Sequence, residues 1–239
     1  MNLLLFLVVP LTASLLCWFK MTPKLSQIAT FVSSTAILGM SVVNALWVVH
    51  GHKPPGVPGW LELDGLSALI LLLVSWIALT STIFSFAYAS HIAHTPARIR
   101  SYYGHLNLFV FALVAVPVLV EPNLVWIAVE LTALFSVLLV GFEDTRQALE
   151  AAWKYIVLMF MSAAIALLGF LMLFEAAQQA GGGVFTWAGL RTIAPQLPPV
   201  LTETAFLFVL IGFGTKSGLV PMHTWLPDAH SHATRNSSR

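Results

Sequence analysis

Apolar runs close to twenty residues long, separated by short polar breaks, dominate the chain. Seven can be drawn, at roughly 2–19, 28–49, 66–89, 105–120, 124–142, 152–174 and 204–220. A bilayer core about 30 Å thick takes about 20 helical residues to cross, and none of these runs alternates with the period of two that a barrel strand requires. Backbone polar groups in lipid must be satisfied within the segment itself, so the pattern predicts an all-α membrane protein, a bundle of about seven transmembrane helices. The fourth run is short, and Glu121-Pro122-Asn123 after it predicts a tight helical hairpin into the fifth. The glycines and prolines of 51–59 close the second run. Gly181, Gly182 and Gly183 open the longest connector, which reaches about Thr202. Within it Trp187, Leu190 and Ile193 recur at helical spacing, which predicts a short helix lying on the membrane interface.

Composition agrees with the pattern. Hydrophobic residues are 58% of 239 and charged residues 9%, against about 25% charged in an average soluble domain. Mean hydropathy is +0.87. A net charge of +1 says nothing about nucleic acid, and no nucleic-acid partner is expected. The single cysteine, Cys17, lies inside the first apolar run and excludes an intrachain disulfide or a cysteine-held cluster. That run has no basic residue ahead of it and no small-residue cleavage site, so it is expected to be a retained span and not a signal peptide. With the chain changing sides at every span, Lys20, Lys24, Arg98, Arg100, Arg146, Lys154, Arg235 and Arg239 fall on one side, and only Lys53 and Arg191 on the other. Basic residues favour the cytoplasmic side, which puts the N-terminus outside and the C-terminus in the cytoplasm.

Lys216 is inside the last apolar run, among Gly212, Gly214 and Gly218, with Pro221 beyond. An ionisable group at membrane depth is a functional candidate by default, and glycines with a proline predict a close-packed helix broken near Pro221. The plain alternative is a lysine snorkelling to the interface, and its distance from both ends of the run argues against that. Glu130 is the acidic counterpart, in the fifth run. Low dielectric disfavours the charged form of either group, whereas proximity favours both charges, so such a pair can change protonation when one partner moves. The structural alternative is a static pair holding helices together. Lys154, at the start of the sixth run, stands four residues after Glu150, a spacing that suits a surface pair on one helix face. It could equally bias the protonation of Glu130 across the short loop between their helices. His223 follows Pro221 at the cytoplasmic end of the lysine helix, and a histidine near its ordinary pKa can relay protons there. His230 and His232 are weaker relay candidates. No two-histidine-plus-glutamate zinc helix and no glycine-rich phosphate loop occurs. His50, His91, His94 and His105 are not placed in pairs at matched depth, so no haem is expected.

Five segments carry a resemblance to a known family: Leu63-Asp64-Gly65-Leu66, Tyr102-Tyr103-Gly104, Trp126-Ile127-Ala128-Val129-Glu130, Leu149-Glu150-Ala151-Ala152-Trp153-Lys154-Tyr155, and the long run 212–231 around Lys216, Pro221 and His223. Over about residues 60 to 231 the chain resembles the N-terminal part of the antiporter-like, proton-translocating membrane subunits of respiratory complex I, Mrp antiporters and membrane-bound hydrogenases, most of all the hydrogenase-4 component F type. The resemblance implies that Glu130 and Lys216 are the paired charges that modulate proton uptake, that His223 is the histidine at the helix break, and that Lys154 is a basic residue commonly found there. It also implies a bacterial-type inner membrane, other membrane and peripheral subunits as partners, and protons, or sodium in their place, as the transported ion. No cofactor is implied, and the chain would be a non-redox subunit of an oxidoreductase complex, not an enzyme by itself.

Residues 1–231 thus read as the N-terminal part of an antiporter-like domain. Residues 232–239, His-Ala-Thr-Arg-Asn-Ser-Ser-Arg after Ser231, resemble nothing in the family, and the chain is expected to be truncated. The expected function is that of a membrane subunit of a redox-linked proton-translocating complex of the NADH:quinone oxidoreductase or hydrogenase-4 type. The alternative is a component of a monovalent cation/proton antiporter or of an inorganic-carbon uptake complex.

Overall fold

Helix starts in this chain are written by threonine, acid and proline. Thr22, Thr95, Thr145 and Thr186 each turn a hydroxyl back to an N–H one turn on, and Glu121 accepts from the N–H groups of Asn123 and Leu124. Proline occupies the first helical position at Pro23, Pro96, Pro122 and Pro199, where its missing N–H would have had no helical partner. The resulting computed structural model describes residues 2–19, 22–92, 95–143, 145–183, 185–220 and 223. Among these the chain forms eight α-helices: α1 (Leu4–Trp18), α2 (Pro23–Val49), α3 (Gly65–Ile92), α4 (Pro96–Ala115), α5 (Pro122–Val140), α6 (Arg146–Gln179), α7 (Trp187–Ile193) and α8 (Pro199–Ser217). The described residues include no strand, only an isolated bridge between Leu61 and Leu119.

Five segments are helical, long and apolar enough to cross a membrane: Pro23–Val49, Gly65–Ala89, Pro122–Glu143, Ala148–Gln179 and Pro199–Ser217. Their best apolar windows are only 17–33% buried, so most of the large apolar side chains point outward, among them Leu73, Trp76 and Phe84 of α3. Apolar surface on that scale is disposed for lipid, and the chain is an all-helical, multi-pass membrane protein. The other two expected spans fall on helices of a different kind. α1 is apolar but only 15 residues long, and α4 opens with Arg98 and Arg100.

Two compact units divide the chain at Leu119 and Val120. In the first, α1 packs on α4 and α2, and α2 packs on α3 and α4. Its apolar core gathers Leu3, Phe6, Ile37, Leu71, Val110, Val114 and Val118. Hydroxyls and one amide cross-link its helices: Ser34 with Thr82 at 2.9 Å, the Asn107 amide donating to Thr30 at 2.7 Å, and Ser14 donating to the Gly104 carbonyl at 2.9 Å. Bonds of this kind hold membrane helices together where the hydrophobic effect supplies little driving force.

In the second unit, α5 and α8 each pack on α6. The α6–α8 contact is made backbone to backbone. A Cβ added to Gly212 would stand 2.5 Å from the Ser162 carbonyl oxygen and 2.6 Å from Ala166 Cβ, and one on Gly169 would meet Val209 N at 2.8 Å. Only glycine permits that approach. The connector forms α7, with Leu190 turned inward beside Phe185 and Ala177, Trp187 outward, and the Trp187 N–H donating to the Val120 carbonyl at 3.2 Å. α8 ends at Ser217, where Gly218 takes φ +76°, the Leu219 N–H reaches the Gly214 carbonyl and the Gly218 N–H that of Thr215. This is a Schellman stop, and a residue with a side chain would be strained in that backbone conformation. The helix therefore ends before Pro221. The expected break at Pro221, and the expected polar tail, lie outside the described residues.

Candidate functional site

Lys216 lies in the last turn of α8, where the carbonyl end of the helix favours a cation. Its side chain reaches across to α5, and Nζ donates to Glu130 Oε2 at 2.6 Å and to the Val129 carbonyl at 3.1 Å. The two side chains are 12% and 16% exposed, so this ion pair is largely withdrawn from solvent. Glu130 Oε1 is buried and has no hydrogen-bond partner. The Val129 carbonyl also accepts the Thr132 hydroxyl at 2.7 Å, so one backbone oxygen of α5 serves both a hydroxyl and the ammonium.

Two contacts fix α5 against α6 on either side of Glu130. One turn earlier, the Trp126 indole N–H donates to the Ala163 carbonyl at 3.0 Å. Six residues later, Ser136 Oγ lies 3.0 Å from the Tyr155 hydroxyl. Gly212, one turn before Lys216, sets the distance between α8 and α6.

The bonds to the Lys216 ammonium come from Glu130 and Val129, and from neither Lys154 nor His223. Lys154 Nζ pairs with Glu150 Oε1 at 2.9 Å, with side chains 53% and 61% exposed, the geometry of a solvated pair on one helix face. Such pairs contribute about 0.5 kcal/mol or less. His223 is exposed and lies beyond the helix stop. Among the described residues no three of His, Cys, Asp and Glu converge as a metal-ligand set.

Sequence reasoning found the two charges but missed the groups around them. The Val129 carbonyl has no side-chain signature at all. Trp126 and Tyr155 were visible as polar tips in apolar helices, but only helix rotation decides what such tips touch.

An oxygen pair holding an ammonium in a poorly solvated bundle can store or release one proton. Residues 123–238 match the family described as NADH:quinone oxidoreductase/Mrp antiporter, transmembrane. A hydrogenase-4 component F homolog of Methylacidiphilum infernorum is 35% identical over 218 residues, which cover 87% of this chain and 45% of that protein. The fold aligns with a chain of the membrane-bound sulfane sulfur reductase, an archaeal respiratory membrane complex, at a TM-score of 0.80 and 19% identity, over 95% of this chain and 47% of the other. It also aligns with a chain of the Mrp complex of Dietzia sp. at a TM-score of 0.77 and 24% identity, over 95% and 42%. The chain thus spans about half the length of the relatives it matches. The Glu130–Lys216 pair lies inside the stretch, residues 123–238, that matches the NADH:quinone oxidoreductase/Mrp antiporter transmembrane family.

Proposed function

We propose that the chain serves as an antiporter-like membrane subunit of a multisubunit, redox-linked proton-translocating complex of the NADH:quinone oxidoreductase or hydrogenase-4 type, in a bacterial-type inner membrane. The observation that carries this reading is the 2.6 Å ion pair between Lys216 and Glu130 on two different apolar helices. Its mechanism is a protonation switch. While Glu130 is charged and in contact, it holds the proton on Lys216; when Glu130 is neutralised or the contact opens, the ammonium loses its main counter-charge and releases a proton. His223, beyond the end of the same helix, exchanges that proton with the cytoplasm, and Lys154 tunes the carboxylate from the start of α6.

In this reading α1 and α4 also cross the bilayer, which makes seven spans with the N-terminus outside and the C-terminus in the cytoplasm. Redox chemistry resides in partner subunits, and this chain carries only charge. The test is Lys216→Met in the assembled complex. Proton translocation should be lost while the complex remains intact, and unaltered pumping would remove the idea.

A second reading is a component of a monovalent cation/proton antiporter, favoured by the fold shared with the Mrp complex chain. Dependence of ion movement on a redox substrate separates the two. The first requires it, and an antiporter runs on an imposed ion gradient alone.

A further inference from the structure

The carbonyl oxygen of Val129 is shared between two side chains. Thr132 Oγ1 donates to it at 2.7 Å from within α5, and Lys216 Nζ donates to it at 3.1 Å from α8. A carbonyl has two lone pairs, and this one also faces the helix's own N–H four residues on, so a hydroxyl and an ammonium there compete for the same negative charge. The lengths show how that charge is divided. Bonds from an ammonium to a carboxylate run about 2.7–2.9 Å; the one to Glu130 is 2.6 Å, whereas the one to Val129 is 3.1 Å and the hydroxyl sits closer. A helical threonine can hand its hydroxyl to the carbonyl three or four residues back. The buried threonines Thr30, Thr82 and Thr215 use the one four back, at Ser26, Ala78 and Ile211. Thr132 uses the one three back, and so meets Val129, which the ammonium also uses, and not Ala128. Few other charges bear on this centre. Glu130 pairs with the ammonium; Glu203, the other charged residue of α8, is thirteen positions away, about 20 Å at the helical rise; and α6, packed on both helices, has Tyr155 as its one titratable residue between Lys154 and Glu175.

We propose that Thr132 is a positioning residue for the proton on Lys216: by occupying the Val129 carbonyl, its hydroxyl weakens the hold of the α5 backbone on the ammonium and keeps that proton releasable. The ammonium has two holds of different kinds. The Glu130 carboxylate can be neutralised or drawn away, so its hold can be removed. The Val129 carbonyl is fixed in the helix backbone, so its hold is permanent. A full-strength bond from the ammonium to that carbonyl would retain the proton whatever the state of Glu130. With the threonine hydroxyl on the same oxygen, the permanent hold stays weak and the removable one decides. Thr132 keeps its own hydrogen throughout and carries no proton in transit. The inference rests on the protonation-switch reading of Glu130 and Lys216, and it adds the residue that lets the switch release.

The experiment uses native membrane vesicles containing the full chain with its partners, and follows proton movement with a pH-sensitive dye over a series of pH values. Thr132→Val keeps the branched shape and removes the hydroxyl, and the bond it removes lies within α5. The alkaline limb of the pH profile, where Lys216 loses the proton it must carry, should move up by about 0.5 in pH. That is an about threefold tighter hold, the size expected when a charge-assisted bond no longer shares its acceptor. Thr132→Ala should move the limb equally, and Thr132→Ser, which keeps the hydroxyl, should return it to its native place. A role in packing alone would make valine milder than alanine and leave the limb where it was. The proposal is overturned if the limb stays or moves down in both hydroxyl-free variants, if serine shifts it as valine does, or if the complex assembles with serine but with neither valine nor alanine. Lys216→Met in the same vesicles keeps the two ideas apart. If it abolishes proton movement while Thr132→Val leaves the limb unmoved, the positioning role is lost and the switch stands. If Lys216→Met is itself silent, the switch fails and the positioning role falls with it.

Discussion

At the scale of single residues, the arrangement around Lys216 is strong at one oxygen and incomplete at the next. Taking two charges out of water is unfavourable, and their attraction compensates fully only when every remaining lone pair and proton is satisfied. Here one carboxylate oxygen takes the ammonium at 2.6 Å and the other takes nothing. Such a pair contributes little net stability while intact, yet losing one partner leaves the other charge stranded. The expectation is therefore asymmetric. Glu130→Gln or Lys216→Met alone should destabilise the chain by about 2 kcal/mol, below the range for a fully buried pair because these side chains keep some exposure. For a chain of this size that corresponds to a fall of roughly 4–8 °C in Tm. The double variant, which strands nothing, should recover most of the loss. Thermal unfolding in detergent micelles measures this, and additive losses in the double variant would show that the two side chains do not depend on each other.

At the scale of elements, packing of α6 on α8 decides whether those charges meet. Gly212 is one turn from Lys216, and even a methyl group there would press into the Ser162 carbonyl and Ala166. Gly212→Ala should push the helices apart, destabilise by about 1–3 kcal/mol and lengthen the Lys216–Glu130 contact. Gly39, in the middle of α2, has open space where its Cβ would go. Gly39→Ala should instead gain up to about 1 kcal/mol from helix propensity alone. Comparing the Tm of the two variants isolates the close approach from the generic effect of removing a glycine. The same elements show what a sequence reveals. Hydropathy locates the part of a helix that lipid would surround, whereas caps locate where the helix begins. α2 starts at Pro23, where the apolar run suggested 28; α4 starts at Pro96 where it suggested 105; and α8 starts at Pro199 where it suggested 204. Each of those starts carries a proline at the first helical position, and two carry a threonine cap, signals that a hydropathy window averages away. α6 likewise runs 34 residues, about 51 Å at the helical rise and well beyond a bilayer core of about 30 Å. The pairing of Lys216 with Glu130 was legible because few ionisable groups lie so deep in the apolar runs. The Tyr155–Ser136 and Trp126–Ala163 contacts depend on rotation about helix axes, which periodicity in helices apolar on nearly every side does not fix.

At the scale of the whole molecule, direction matters, because a proton route has an inlet and an outlet only once the helices are oriented in the membrane. The proposed orientation rests on the distribution of basic residues, eight on one side and two on the other. It can be read directly by cysteine labelling. The native thiol, Cys17, is 1% exposed and should remain silent toward a membrane-impermeant maleimide. Lys53 lies in the exposed 51–59 loop and Arg146 is exposed at the start of α6. On intact cells Lys53→Cys should be labelled and Arg146→Cys should not, and in inverted vesicles the two results should exchange. That outcome places the Glu150–Lys154 end of α6 on the cytoplasmic side. His223, beyond the end of the lysine helix, would then open to the cytoplasm. Protons would have to leave the pair toward the opposite face by another path. The reverse labelling pattern would turn that opening outward and overturn His223 as a cytoplasmic exit.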